Sequence, residues 1–238
     1  MKYMGSKARI AKDILPFIQE HLNGDNYFVD AFCGGCNLID KLDYPKRIAN
    51  DKNEYLIAMW CDLQQGRQFP MMIDKEIYSI ARNVYNGLFE KTYLYSGYIG
   101  WIGWMGSYNG RFFDGGYSGH NVKGRDYIGE QIRNTLRQIN CLGGVLFFNY
   151  DYKELPIPKN SVIYCDIPYK NTKQYAVSKD FNHEKFWQWC RDMTNKGHKV
   201  FISEYNAPDD FTCIWQKEVT NAMNTTKTYK PIEKLFTI

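Results

Sequence analysis

Between residues 27 and 65 the chain alternates in a way that few folds accommodate. An apolar run over 27–32 reads as a buried strand, and Cys33-Gly34-Gly35-Cys36 follows it as a tight turn. Residues 37–42 suit a short helix, 47–50 a second strand and 54–65 a longer helix. The second strand runs into Asp51. Strand, glycine turn, helix, strand and acid, in that order, open a doubly wound, Rossmann-like α/β sheet. Such sheets hold ligands just past the C-terminal ends of their strands. Glycine there lets a ligand approach the backbone, and an acid closing the second strand accepts hydrogen bonds from ribose hydroxyls. Asp51 also suits the N-cap of the helix starting at Glu54, and the two roles are compatible. The GxGxxG dinucleotide fingerprint is absent.

The flanking segments extend this frame. A helix is expected over 8–22, with Ile10, Ile14, Phe17, Ile18 and Leu22 on one face, ended by Asn23-Gly24-Asp25-Asn26. Past Gly66 the character changes. Residues 74–86 are helical in pattern, with Ile77, Ile80, Val84 and Leu88 in register and Gly87 as a stop. Over 92–124 clean periodicity disappears among Gly, Tyr, Trp and Phe, and a long aperiodic stretch is usually functional or mobile. A helix returns over 125–140, with Ile128, Ile132, Leu136 and Ile139 inward and Arg133 and Arg137 outward. Strands over 145–149, 161–165 and 200–203, a helix over 183–195 capped by Asn182, and a β-rich tail complete the pattern. Residues 66–140 therefore read as a mainly helical insertion between two halves, 1–65 and 141–238, of one sheet.

The 238 residues suffice for one core, or a core with a small accessory domain. No apolar run is long enough to span a membrane, and the first residues lack the apolar core of a signal peptide, so a cytoplasmic protein is expected. Seven cysteines, an odd number, point to reduced thiols. Cys33-x-x-Cys36 has no partner pair, so no metal is expected. Asn224-Thr225-Thr226 fits a glycosylation sequon by chance. A net charge of +4 permits nucleic-acid binding without demanding it. The abundant aromatics can stack on unpaired bases or simply fill a core.

The chemistry concentrates where the run Val162-Ile163-Tyr164 gives way to Asp166-Ile167-Pro168-Tyr169. A carboxylate and the carbonyl before the proline can accept hydrogen bonds from an exocyclic amine, and the tyrosine ring can stack on its base. An ordinary strand-end turn is the other reading of these four residues. They resemble the Asp-Pro-Pro-Tyr motif of amino-methylating DNA methyltransferases. Lys2-Tyr3-Met4-Gly5-Ser6-Lys7 resembles the N-terminal aromatic-x-Gly-x-Lys motif of Dam-like adenine methyltransferases. Asp30-Ala31-Phe32-Cys33-Gly34-Gly35-Cys36 is similar to that family's Asp/Glu-x-Phe-x-Gly-x-Gly motif, with Cys36 for the last glycine. Ile167 likewise replaces the first proline of the tetrapeptide, keeping the carbonyl but less rigidity. The order of clamp, glycine turn, ribose acid, insertion and tetrapeptide matches the Dam-like arrangement over nearly the whole chain. Phe181-x-His183 and Ser203-Glu204-Tyr205-Asn206 also look like family positions, and no catalytic role is assigned to them.

The resemblance implies methyl transfer from S-adenosylmethionine (AdoMet) to the N6 amine of a flipped adenine in double-stranded DNA. It implies catalytic roles for Asp166, Ile167, Pro168 and Tyr169. Tyr3, Lys7, Asp30, Phe32, Gly34, Asp51 and Asp166 would bind AdoMet, with no metal. The insertion would be a DNA-recognition domain, with Tyr108, Asn109, Arg111, Lys123 and Arg125 as its contacts, assigned as a group. The expected setting is the cytoplasm of a bacterial cell or phage-infected host, as a monomer or weak dimer. Two alternatives stay open: methylation of the cytosine N4 amine, and a DNA-binding module impaired in catalysis by Ile167 and Cys36.

Overall fold

The apolar runs fold as β1 (Phe28–Asp30), β2 (Arg47–Asn50), β3 (Leu146–Phe148), β4 (Val162–Asp166), β5 (Lys199–Glu204), β6 (Thr212–Glu218) and β7 (Ile232–Thr237). The computed structural model describes residues 1–90, 94–169, 181–219 and 231–238. The strands form one seven-stranded sheet in the order β3-β2-β1-β4-β5-β7-β6. The first five are parallel, and β7 runs antiparallel to both β5 and β6. β1 and β2 are buried throughout and β4 nearly so, as expected of parallel strands covered on both faces. That is why they read as unbroken apolar runs rather than as alternation.

β1 pairs with β2 on one side and β4 on the other, so strand order reverses there. Asp30 lies opposite Ala49 and Tyr164. The acids closing β1, β2 and β4 therefore come out at one end of the sheet, in the crevice where such folds hold ligands. Buried Asn50 ties these ends together: its Nδ2 donates to the Ala31 and Tyr150 carbonyls at 3.0 and 3.1 Å.

The helices are α1 (Ala11–Gln19), α2 (Glu54–Gln64), α3 (Lys75–Tyr85), α4 (Ser96–Gly106), α5 (Tyr127–Ile139) and α6 (His183–Asn195). α1 is shorter than the 8–22 expected, because a separate 3-10 turn, Lys7–Arg9, precedes it. The expected helix over 37–42 is a single 3-10 turn, Ile39–Lys41. α2 is capped by Asn53, which accepts from the Leu56 N–H, and not by Asp51. α3 turns a slightly different face inward from the one expected: Tyr78, Ala81 and Val84 are buried, while Ile80 is exposed. In α5, Ile128 and Ile132 are buried as expected, but Leu136 is exposed and Gln131, Thr135 and Gln138 are buried instead.

The largest correction is α4, which occupies part of the stretch read as aperiodic. Its side chains from Ile99 to Met105 are buried all round, so it carries no amphipathic stripe for a periodicity search to find. Glycine makes this burial possible. A Cβ on Gly100 would lie 2.1 Å from the Tyr55 carbonyl oxygen, so α2 and α4 approach backbone to side-chain-less backbone. Trp60 of α2, Trp101 of α4 and Ile132 of α5 consequently share one core with Ile14 of α1. A second core, with Ile163, Phe186 and Trp189, covers the opposite face of the sheet. Among the described residues no helix is long and apolar enough to cross a membrane. The Asn224 sequon lies outside the described residues.

Candidate active site

Lys7 joins the N-terminal segment to the tetrapeptide. Ser6 accepts a hydrogen bond from the Ala8 N–H, which starts the 3-10 turn and aims Lys7 inward. The Lys7 Nζ lies 2.9 Å from Asp166 Oδ1 and 3.7 Å from Glu233 Oε2. It also sits 4.4 Å above the centre of the Tyr169 ring and donates to the Gly5 carbonyl at 3.3 Å. Burial works against this ammonium, but Asp166 and Glu233 outweigh it and hold Lys7 above its ordinary pKa.

Three acids line the crevice. Burial pushes Asp166 up to about 6, Lys7 pulls it back, and Glu233 adds to the rise. Asp30 lies well above the usual carboxylate range, from burial first and the nearby Asp166 second. Its Oδ1 is buried with no hydrogen-bond partner. Asp51 is also raised by burial, against two backbone bonds that favour its charge. Its Oδ2 accepts from Gly34 N at 3.0 Å and its Oδ1 from Asn53 N at 2.9 Å. The acid after β2 therefore braces the glycine turn against the start of α2.

Tyr3 packs onto that turn. A Cβ on Gly34 would meet the Tyr3 ring at 2.7 Å, and Trp104 backs the ring at 5.0 Å. Cys36, the residue that departs from the family motif, has φ +54°. The motif's glycine thus falls where the backbone is left-handed, and Cys36 accepts a strain of about 1–2 kcal/mol while its thiol is fully buried. The two glutamines of α5 complete the support. Gln138 donates to the Gly35 and Cys36 carbonyls at 2.8 and 3.1 Å, and Gln131 exchanges hydrogen bonds with the Lys2 backbone at 3.1 and 3.2 Å. Their spacing of two helical turns was the signal that the sequence reading passed over.

Beyond β4, Ile167 is buried in the second core, so its side chain anchors the position that proline holds in the motif. The Tyr169 ring is buried beneath Lys7 and meets Tyr205 edge-on at 4.6 Å. Its hydroxyl donates to Glu233 Oε2 at 2.5 Å. His183 Nε2 lies 2.9 Å from the Pro168 carbonyl oxygen. Phe32 joins an aromatic cluster with Tyr152, Phe181 and Phe186 at 5.3–5.9 Å. Glu233 was missed in the sequence. Its only signal is an acid beside the apolar residues Ile232, Leu235 and Phe236 of the tail strand β7.

The residues nominated for DNA contact are only partly brought together. Tyr108, Asn109 and Arg125 line one polar cavity with Lys2, Tyr127 and Gln131. Arg111 and Lys123 do not line it. Arg125 is bound twice to Glu130, at 2.8 Å each, and Arg111 to Asp114 at 2.7 Å. Lys123 is exposed in a tight turn closed by Val122 and Arg125.

No curated protein matches the chain. Among solved structures, it is similar to a crystal structure of SMU.472 complexed with SAH, at 12% identity and a TM-score of 0.43. The match covers 100% of this chain and 54% of that one, so the chain spans about half the length of the structure it resembles. The model of the D12 class N6 adenine-specific DNA methyltransferases matches residues 3–233, from Tyr3 through Asp166 to Glu233. The chain belongs to that family.

Proposed function

We propose that this chain methylates the N6 amine of adenine in double-stranded DNA, on a base flipped out of the duplex, with AdoMet as donor. The observation that carries this reading is the position of the Lys7 ammonium. It is a nitrogen donor bonded to Asp166 and lying over the Tyr169 ring. The amine of a base stacked on Tyr169 would make the same two contacts, so Lys7 stands where the target amine has to go.

The residues fit the donor. Asp30 offers a buried, unpartnered carboxylate oxygen beside the Gly34 turn, and Asp30, Asp51 and Asp166 all hold protons more tightly than ordinary carboxyls. A positively charged ligand would relieve that cluster. Asp30, Phe32, Gly34, Asp51 and Asp166 would hold it, with Tyr3 and Lys7 closing over it. When bound, AdoMet supplies an electrophilic methyl group on a cationic sulfur.

The chain's own residues do the rest by positioning and electrostatics. An adenine amine is a weak nucleophile because its lone pair is delocalised into the ring. Ionised Asp166 and the Ile167 carbonyl accept its two N–H bonds, which localises that lone pair. Tyr169 stacks on the base, held in place by Glu233 and Tyr205. A base in a duplex reaches this buried pocket only by leaving the stack. Tyr108, Asn109 and Arg125 in their shared cavity, with Lys123 and Arg111 nearby in sequence, serve the surrounding DNA.

The test is transfer of labelled methyl from AdoMet to DNA of known sequence, followed by nucleoside analysis. Label on N6-methyladenine is the expected result. Label on N4-methylcytosine moves the substrate, and DNA binding without transfer makes the chain a binding module.

A further inference from the structure

We infer that His183 is a positioning residue that sets the orientation of the catalytic tetrapeptide through the Pro168 carbonyl. The inference rests on the functional reading above and adds a residue to it. The sheet ladder reaches only as far as Asp166, which pairs with Ser203 of β5. Over residues 167–169 the backbone has no strand partner among the described residues. Pro168 fixes its own φ through the ring but leaves ψ free. Rotation about that bond turns the Pro168 carbonyl and, with it, the peptide plane that carries Tyr169. His183 removes this freedom. A carbonyl only accepts, so the 2.9 Å contact requires a proton on Nε2 and a donated hydrogen bond.

The donor itself is well anchored. His183 is the first residue of α6, whose cap Asn182 accepts from the Lys185 N–H at 2.9 Å. Phe186 and Trp189 fix that helix in the second core. The edge of the His183 ring meets Phe181 at 5.0 Å, and Phe181 meets Phe32 at 5.9 Å. Glu204, buried at the end of β5, places a carboxylate oxygen 4.0 Å from Nε2. A chain of contacts thus runs from Phe32, two residues past β1, to Pro168, which presents the stacking ring. The requirement is for a donor at the Nε2 position, and any side chain that supplies one there should serve.

Three variants separate this role from simple packing. His183→Leu fills the space without a donor. His183→Gln carries an amide nitrogen that reaches the place of Nε2. His183→Asn carries one that stops short of it. Single-turnover methyl transfer is measured at saturating AdoMet on a duplex whose methylated site was mapped with the parent. AdoMet affinity and thermal midpoint are measured beside it. His183→Leu and His183→Asn should slow transfer by about 10- to 100-fold with AdoMet affinity unchanged, the penalty expected of a displaced reacting group. His183→Gln should recover most of the rate. Equal slowing in the Gln and Asn variants, or parental rates in a folded Leu or Asn variant, overturns the proposal alone. A parent that methylates no adenine overturns the functional reading and this proposal together.

Discussion

Desolvation decides the behaviour of single residues at the crevice. Asp166 titrates near 6 in the fold because burial outweighs its pairing with Lys7. The ionised form is the stronger acceptor for the N–H of an amine. Transfer at limiting AdoMet should therefore rise as pH passes upward through about 6 and fall below it. Stability runs the other way. A carboxyl raised from 3.8 to about 6 contributes stability that is full below its unfolded value and is lost as pH rises through about 6. The thermal midpoint of Asp166→Asn, relative to the parent, should thus climb between about pH 4 and pH 6. A flat or falling difference would show that Asp166 is not desolvated. Cys36 offers a second residue-scale test, on backbone strain. Cys36→Gly should stay within about 1 kcal/mol of the parent, since relief of the left-handed strain offsets the lost thiol packing. Cys36→Val should cost more than about 2 kcal/mol, because a β-branched residue tolerates that backbone poorly. Urea denaturation of the two variants checks both values.

The elements show why some of the fold was legible and some was not. β1, β2 and β4 are parallel strands with both faces covered, so their apolar runs declared them within a residue or two. α6 was placed to the residue by its cap Asn182. α4 was invisible because a helix buried on every side has no stripe, and its glycines looked like loop residues. Those glycines are contact surfaces. Gly100→Ala should destabilise the fold by about 3 kcal/mol, since its Cβ would overlap the Tyr55 carbonyl and neither helix can move without repacking Trp60 and Trp101. A chemical-denaturation midpoint close to the parent's would mean that α2 and α4 are not in such contact. The face of α5 was misjudged because hydrophobicity alone was counted. Buried Gln138, bonded to the glycine turn, and buried Gln131, bonded to Lys2, carry no apolar signal, and Leu136 carries one while exposed.

At the scale of the molecule, the site draws on the whole length of the chain. Lys7 comes from the N-terminal turn, Asp30 from β1, Asp166 and Tyr169 from β4 and beyond, and Glu233 from β7. The first four were legible because each sits in a short motif and the motifs fall in a fixed order. Glu233 has no motif of its own, and only folding brings it to Tyr169. Lys2 likewise became visible only through the cavity it shares with Tyr108, Asn109 and Arg125. The shared site has a whole-molecule consequence. A cationic donor entering among Asp30, Asp51 and Asp166 should favour their charged forms, so AdoMet binding near pH 6 should release protons. Calorimetry in buffers of different ionisation enthalpy reads that release, and proton uptake would contradict it.

The central claim is that Asp166, at the end of β4, receives the target amine where Lys7 now stands. Its most direct test is single-turnover transfer of labelled methyl from saturating AdoMet to duplex DNA, comparing the parent with Asp166→Asn. The account predicts label on adenine N6 with the parent. It predicts a rate at least about 100-fold lower for Asp166→Asn in a variant that still unfolds cooperatively. A folded Asp166→Asn protein that transfers methyl at close to the parental rate would contradict it.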